Sequence, residues 1–393
     1  MMLPPSRPLT HADHDPSTDH ARPCGQVPPP DPIRIALLAP PVISVDAAAP
    51  GGLLHVARLA QGLADCGHQV TVIGAGTAAA AGLGGGFELI DTDPTQHPAD
   101  GPDPDPGERR LADRVHYANI TMILDHLHPD VVGDHTHTSD LHRGSRPVPT
   151  AVTIYHRRPF ELFGGQPERL PAHAHLVAIS EPQRRLSRDW PWQAVIPPAI
   201  PLQEYPLSLD HGGPALFLGP RAPVDDGTAV SLDAGIALQA AHQAGVPITL
   251  AGTHHSPEAA VHLDELLARE PLGPDDRLLM RVDARQRHQL LGSARCLIAP
   301  LLLDPPCSLE VLEALALGTP VIGVHETLGA ELVRPQTSGL LVDLDRLEEL
   351  PAAIRQASQI HPTTVRPQAA RFDLPVIVRA YEALFAGLIE GHP

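Results

Sequence analysis

An α/β fold of two domains, each built around a parallel sheet, is what this sequence predicts. Three observations carry the prediction. At 393 residues the chain is too long for one domain of ordinary size and suits two. Short apolar runs alternate with helical stretches along most of that length, the order that parallel sheets require. The alternation stops at a Pro-rich connection, Pro197-Pro198 through Gly213, and then restarts.

The first alternation opens at Ile33. Ile33-Arg34-Ile35-Ala36-Leu37-Leu38 is a short apolar run, followed by Ala39-Pro40-Pro41. Gly51-Gly52 then opens an amphipathic stretch with Leu53, Val56, Leu59, Ala60 and Leu63 at helical spacing. Gly67 closes it, and Gln69-Val70-Thr71-Val72-Ile73 reads as the next strand. Strand, loop, helix and strand in that order open a sheet wound in the Rossmann manner. Residues 93–109 read as a Pro/Asp-rich surface loop, and residues 130–132, 151–154 and 176–179 as further strands.

After the Pro-rich break, apolar runs at 215–218, 247–250, 278–282, 296–298, 320–322 and 340–342 predict a second sheet. The expected division is a disordered tail at 1–31 and domains at 32–200 and 201–370, with a terminal helix in 371–393. Two such domains face each other across a cleft, with ligands at the carboxyl ends of the strands that line it.

Composition narrows the function. The hydrophobic fraction is 42%, enough for two cores, but aromatics make up only 3%, which argues against stacking platforms for single-stranded nucleic acid. A formal charge of −18 repels phosphate backbones and anionic lipid. No apolar run is long enough to span a bilayer, and the start lacks the layout of a signal peptide. Cys24, Cys66, Cys296 and Cys307 show no CxxC spacing, so they read as reduced thiols of a cytoplasmic protein and not as a disulfide framework or zinc site. All 28 basic residues are arginine, so no mechanism in this chain can use lysine.

Four stretches together resemble the group one, family four glycosyltransferases. They are Arg34 to Pro41 with Gly51-Gly52 and Gly67-His68-Gln69-Val70-Thr71; Val177-Ala178-Ile179-Ser180-Glu181-Pro182; Leu309 to Ile322; and Arg371-Phe372-Asp373-Leu374 to Leu384. The likeness runs in order over about residues 33–386, and the stretch at 309–322 is its most specific part. It implies a GT-B fold: two Rossmann-like domains facing across a cleft, with a C-terminal helix crossing back to the first. It also implies a nucleotide-sugar on the C-terminal domain, a sugar or small-molecule acceptor on the N-terminal domain, retention of anomeric configuration, and no cofactor or bound metal.

Carried over residue by residue, the resemblance makes Glu313 the carboxylate that grips the ribose hydroxyls. Gly219, Arg221, and the backbone of Ser308 and Leu309 would meet the phosphates, as a helix N-terminus can. His156 matches a family histidine near the transferred sugar, and Gly51, Gly52 and His135 lie on the acceptor side. Three positions depart from the pattern. Pro305 stands where the family has a first glutamate, beside Asp304. Pro220 and, approximately, Asp225 stand where it has an arginine and a lysine that neutralise the departing diphosphate. His135 and His137 would suit a metal, but no carboxylate pattern completes such a site. The expected function is therefore transfer of a sugar from a nucleotide donor. The alternative is a catalytically degenerate GT-B protein that serves as a binding or partner subunit.

Overall fold

The computed structural model describes residues 32–39, 52–74, 86–92, 106–136, 148–155, 166–219, 228–252, 257–279, 282–299, 301 and 308–391. The tail expected at 1–31 lies outside them. Two all-parallel sheets organise the chain.

The first half runs β1 (Arg34–Leu38), α1 (Gly52–Asp65), β2 (Gln69–Gly74), β3 (Glu88–Asp91), α2 (Pro106–Leu127), β4 (Val131–Asp134), β5 (Thr150–Ile154), β6 (Ala174–Ala178), α3 (Glu181–Leu186) and β7 (Trp192–Val195). Its seven strands lie in the order β3-β2-β1-β4-β5-β6-β7. β1 is flanked by β2, with Arg34 opposite Gln69, and by β4, with Ile35 opposite Val131. The second half runs β8 (Ala215–Leu218), α4 (Thr228–Ala244), β9 (Ile248–Ala251), α5 (Pro257–Arg269), β10 (Arg277–Leu279), α6 (Ala284–Ser293), β11 (Cys296–Ile298), α7 (Leu309–Leu317), β12 (Val321–Val324), β13 (Gly339–Val342), α8 (Leu350–Ala357), α9 (Pro362–Val365) and α10 (Leu374–Glu390). Its strands repeat the pattern as β10-β9-β8-β11-β12-β13. Both orders reverse direction beside their first strand, which opens a crevice at the carboxyl ends.

The central strands are continuous apolar runs because helices cover both faces of such sheets. β5, β8, β9 and β12 are buried along their whole length. α1 buries Val56, Leu59, Ala60 and Leu63 on one stripe, then ends in a turn where Gly67 takes φ 97°. α6 starts with a reciprocal cap: Gln286 N–H donates to Asp283 at 2.7 Å, and Asp283 N–H donates to the Gln286 side chain at 3.0 Å. α7 ends at Gly318, which sits at φ 88°; a Cβ there would come within 2.6 Å of Leu207 Cδ1.

The last helix returns to the first sheet. The chain crosses between the two halves twice, side by side: Ile200 N–H donates to Phe372 O at 2.8 Å, and Leu374 N–H donates to Ile200 O at 3.1 Å. α10 then places Ile377, Val378, Tyr381, Phe385 and Leu388 in one core with Ile35, Leu37, Val56 and Leu59. Tyr381 Oη also meets Thr153 Oγ1 at 3.0 Å, and burial pushes its phenol up to about 12.

Three sequence expectations need correction. The loop read at 93–109 ends earlier, because α2 starts at Pro106, a residue suited to a first helical turn. β3 and β7 went unread because both are short and at most half-buried, so neither shows a continuous apolar run. The reading of all four cysteines as thiols fails at Cys66, which is disulfide-bonded; Cys296 is free and buried. The argument for a reducing compartment from cysteine usage therefore falls. No helix among the described residues is long and apolar enough to cross a membrane.

Away from the cleft, His242 at the end of α4 lies between two carboxylates. Its Nδ1 is 2.6 Å from Glu270 and its Nε2 is 2.7 Å from Asp276. Asp276 also accepts backbone N–H groups from Ile248 and Gly273. The Asp276 bond, followed by that of Glu270, raises the pKa of His242 against the opposing effect of burial.

Candidate functional site

The crevice of the second sheet lies at the carboxyl ends of the paired strands β8 and β11, where the strand order reverses. Gly219 follows β8 directly, buried, with its N–H donated to Ala251 O at 2.9 Å. Ser308 is the N-cap of α7, the helix after β11, and Leu309 is that helix's first residue. The structure thus brings Gly219, Ser308, Leu309 and Glu313 to elements on either side of one crevice. Arg221, Pro220, Asp225, Asp304 and Pro305 lie outside the described residues.

Ser308 holds the N-cap position without a side-chain bond to the helix backbone. Its side chain accepts no backbone N–H; its hydroxyl instead donates to Glu310 Oε2 at 3.0 Å. Glu313 lies one turn into α7, not at its start, and is 3% exposed. Tyr205, in the connection between the two sheets, donates its hydroxyl to Glu313 Oε1 at 3.2 Å. Arg287 on α6 donates Nε to Glu313 Oε2 at 2.7 Å and Nη2 to Glu310 Oε1 at 3.1 Å.

This is a buried ion cluster of one guanidinium and two carboxylates. Burial of that depth opposes the charge on Arg287, but Glu313 and then Glu310 outweigh it and raise the guanidinium's pKa. The Tyr205 ring lies 4.4 Å, centroid to centroid, from His288, the next residue on α6. Arg366 donates to the carbonyls of Tyr205, Ala316 and Leu202, tying the connection to the end of α7. Sequence reasoning found Glu313 but missed Arg287, Glu310 and Tyr205. Arg285 and Arg287 flank a glutamine in a polar stretch that looks like a solvated helix face, so nothing in the sequence marks Arg287 as buried.

The crevice of the first sheet holds a second polar group. His135 follows β4, is buried, and donates its N–H to Leu38 O at 3.0 Å. Its Nδ1 lies 2.8 Å from the hydroxyl of Tyr155, the residue after β5. The ring of His55, on the first turns of α1, is 6.1 Å from that of His135 and 6.4 Å from that of Tyr155. Burial, helped by Arg58, pushes His55 down to about 4, so its ring is neutral at physiological pH. Gly52 is the first residue of α1, the helix that carries His55. Gly51, His156 and His137 lie outside the described residues. His55 and Tyr155 are further cleft-side groups that the sequence did not reveal.

Comparison with known proteins gives this geometry a family. Residues 51–204 match the family described as Glycosyltransferase Family 4, and residues 215–359 match that described as Glycosyl transferases group 1. The first match takes in β2 to β7 and the second takes in the whole second sheet, and together they cover more than half of the chain. No curated protein matches the chain by sequence.

Among solved structures, the fold is similar to AviGT4, a glycosyltransferase involved in avilamycin A biosynthesis. That pair is 22% identical with a TM-score of 0.65, over 92% of this chain and 99% of that one. Sucrose-phosphate synthase from Thermosynechococcus elongatus is 15% identical with a TM-score of 0.66, over 91% and 99%. HepE of Anabaena, in complex with UDP-glucose, is 14% identical with a TM-score of 0.62, over 90% and 100%. At such identities the likeness is one of fold, and the fold is GT-B: two parallel α/β sheets with a terminal helix crossing back. With both halves matched in order, the chain belongs to the group 1, family 4 glycosyltransferases.

Proposed function

We propose that this chain transfers a sugar from a nucleotide-sugar to a sugar or small-molecule acceptor, with retention of anomeric configuration. The observation that supports this best is the position of Glu313, buried on α7 beside the β8–β11 crevice. In this reading residues 201–370 hold the donor. Glu313 accepts hydrogen bonds from the ribose, a task suited to a carboxylate. The backbone at Gly219, Ser308 and Leu309, together with Arg221, meets the diphosphate. Residues 32–200 hold the acceptor near Gly51, Gly52 and His135, and His156 lies near the transferred sugar. The complex of HepE with UDP-glucose makes a uridine donor the first to test.

A second reading has its own support. Pro305, Pro220 and Asp225 stand where the family has a glutamate, an arginine and a lysine, and the chain contains no lysine at all. Charge building on a departing diphosphate then has few cations to meet it. Under this reading the chain is a degenerate member that binds a partner and turns over no donor.

One experiment separates the two. The full chain is incubated with UDP-, GDP- and ADP-sugars, scoring both thermal shift and release of nucleoside diphosphate. Turnover abolished by Arg221→Ala supports a working transferase with a site rebuilt around arginine. Stabilisation without turnover supports the degenerate reading. The absence of any shift or turnover with all three donors refutes the donor site.

A further inference from the structure

The ion cluster beneath α7 contains a residue that the donor-site reading leaves unused. Glu310 and Glu313 are three apart on α7 and so share one of its faces. Arg287 spans both, with Nε on one and Nη2 on the other. The other two oxygens of the pair are met by Tyr205 on Glu313 and Ser308 on Glu310. Four carboxylate oxygens therefore receive four donors, two of them from a single guanidinium that is itself 4% exposed. Such a rigid fork holds two carboxylates in fixed orientation, which a single ammonium cannot reproduce.

The energetics make Arg287 more than a packing residue. A carboxylate as buried as Glu313 favours its protonated form unless a cation compensates. A protonated carboxyl loses acceptor capacity and could not receive two ligand hydroxyls as an ionised one can. The bonds from Tyr205 and Arg287 fix the orientation of the carboxylate.

We propose that Arg287 is the positioning residue of the donor site: it keeps Glu313 ionised and aimed at the vicinal hydroxyls of a nucleotide ribose. It acts through Glu313 and need not touch the nucleotide. The proposal rests on the reading of Glu313 given above. Among the described residues, the charged and titratable groups that face the cluster include Arg287 and His288 from α6, Glu310 from α7, Tyr205 from the connection, and Arg366, which bonds the end of α7. Because His288 and Glu310 remain in every Arg287 variant, the comparison is always with the pH profile of the unmodified chain.

The test measures binding of UDP, GDP and ADP to the full chain by calorimetry from pH 6 to pH 8. It uses the unmodified protein, Glu313→Gln, Arg287→Met and Arg287→Lys, with whichever nucleotide binds tightest. Losing a charge-assisted bond that orients the binding group is expected to weaken affinity about tenfold or more in Arg287→Met. Affinity in that variant should also fall as pH is lowered, because burial then favours protonated Glu313; a purely structural role would not create this slope. Arg287→Lys should remove the slope while recovering only part of the affinity.

Should Arg287→Met not fold, Arg287→Lys decides alone: affinity reduced severalfold supports the proposal, and unchanged affinity overturns it. If Glu313→Gln weakens binding while Arg287→Met keeps the affinity and pH profile of the unmodified chain, the positioning role fails and the donor-site reading survives. If Glu313→Gln has no effect, or the unmodified chain binds none of the three nucleotides, the donor-site reading fails and the proposal falls with it.

Discussion

Phe385 on the last helix packs directly over Gly133 of β4, so closely that a Cβ at position 133 would lie 3.2 Å from the tip of the ring. The same Cβ would lie 2.6 Å from Leu37 Cδ2. The absence of a side chain at Gly133 is what lets α10 seat against the first sheet. Gly133→Ala is expected to destabilise the protein by about 1–3 kcal/mol through overpacking. Phe385→Ala, which leaves a cavity instead, should cost about 3–5 kcal/mol. Urea denaturation measures both, and hydrogen exchange should quicken in β1 and β4 in each variant. Unchanged exchange there would mean that α10 does not support the sheet.

The buried ion cluster should be far more sensitive to truncation than the surface pairs. Arg287→Ala leaves Glu310 and Glu313 buried without their cation, and removing one partner of a buried pair typically costs about 3–5 kcal/mol. Arg34 pairs with Asp130 at 2.6 Å, but both side chains are substantially exposed. Arg34→Ala should leave the denaturation midpoint nearly unchanged. Equal losses in the two variants would contradict the burial argument.

His242 makes stability depend on pH in a stated direction. Its raised pKa means that the folded state holds the proton more tightly than the unfolded chain, whose histidine titrates near about 6.5. The stabilisation is therefore complete below that value and is lost as pH rises through the higher folded pKa. Thermal midpoints are expected to fall over this alkaline-going window, and His242→Gln should flatten the trend. A midpoint that rises across the window because of His242 would reverse the assignment.

Restoring the family's charges should improve donor binding. Pro220→Arg, Asp225→Lys and Pro305→Glu together add two cations and a carboxylate at the positions where the chain departs from the pattern. One preorganised group of this kind is worth on the order of a hundredfold in rate. Titration with nucleotide-sugars should show tighter binding by the triple variant. No gain in a folded variant would mean that this chain does not use these positions for its donor.

Much of the fold was legible because buried parallel strands announce themselves as unbroken apolar runs: Ile35 to Leu38, Ala215 to Leu218 and Val321-Ile322 all read correctly. What failed lacked that signal. β3 and β7 present half-buried, mixed faces, and α2 hides behind a proline that looks like a breaker but opens a first turn. At the site, Glu313 was legible from its neighbours in sequence. Arg287 and Tyr205 were not, because each is 26 or more positions from Glu313 and meets it only in the folded chain. Whether an arginine faces water or a carboxylate is decided by tertiary packing, which leaves no local trace.

The returning helix also sets an order of events during synthesis. Ile35 and Leu37 are among the first core residues to be made, while Tyr381 and Phe385, which fill the same core, are among the last. At a translation rate of about 5–20 residues per second, roughly 20–70 s separate the two groups. Through that interval the face of the first sheet awaiting α10 stays uncovered, an apolar surface on a nascent chain. The second half of the protein can complete its cores before the first half can. Despite its position in the sequence, the N-terminal unit is the last to close.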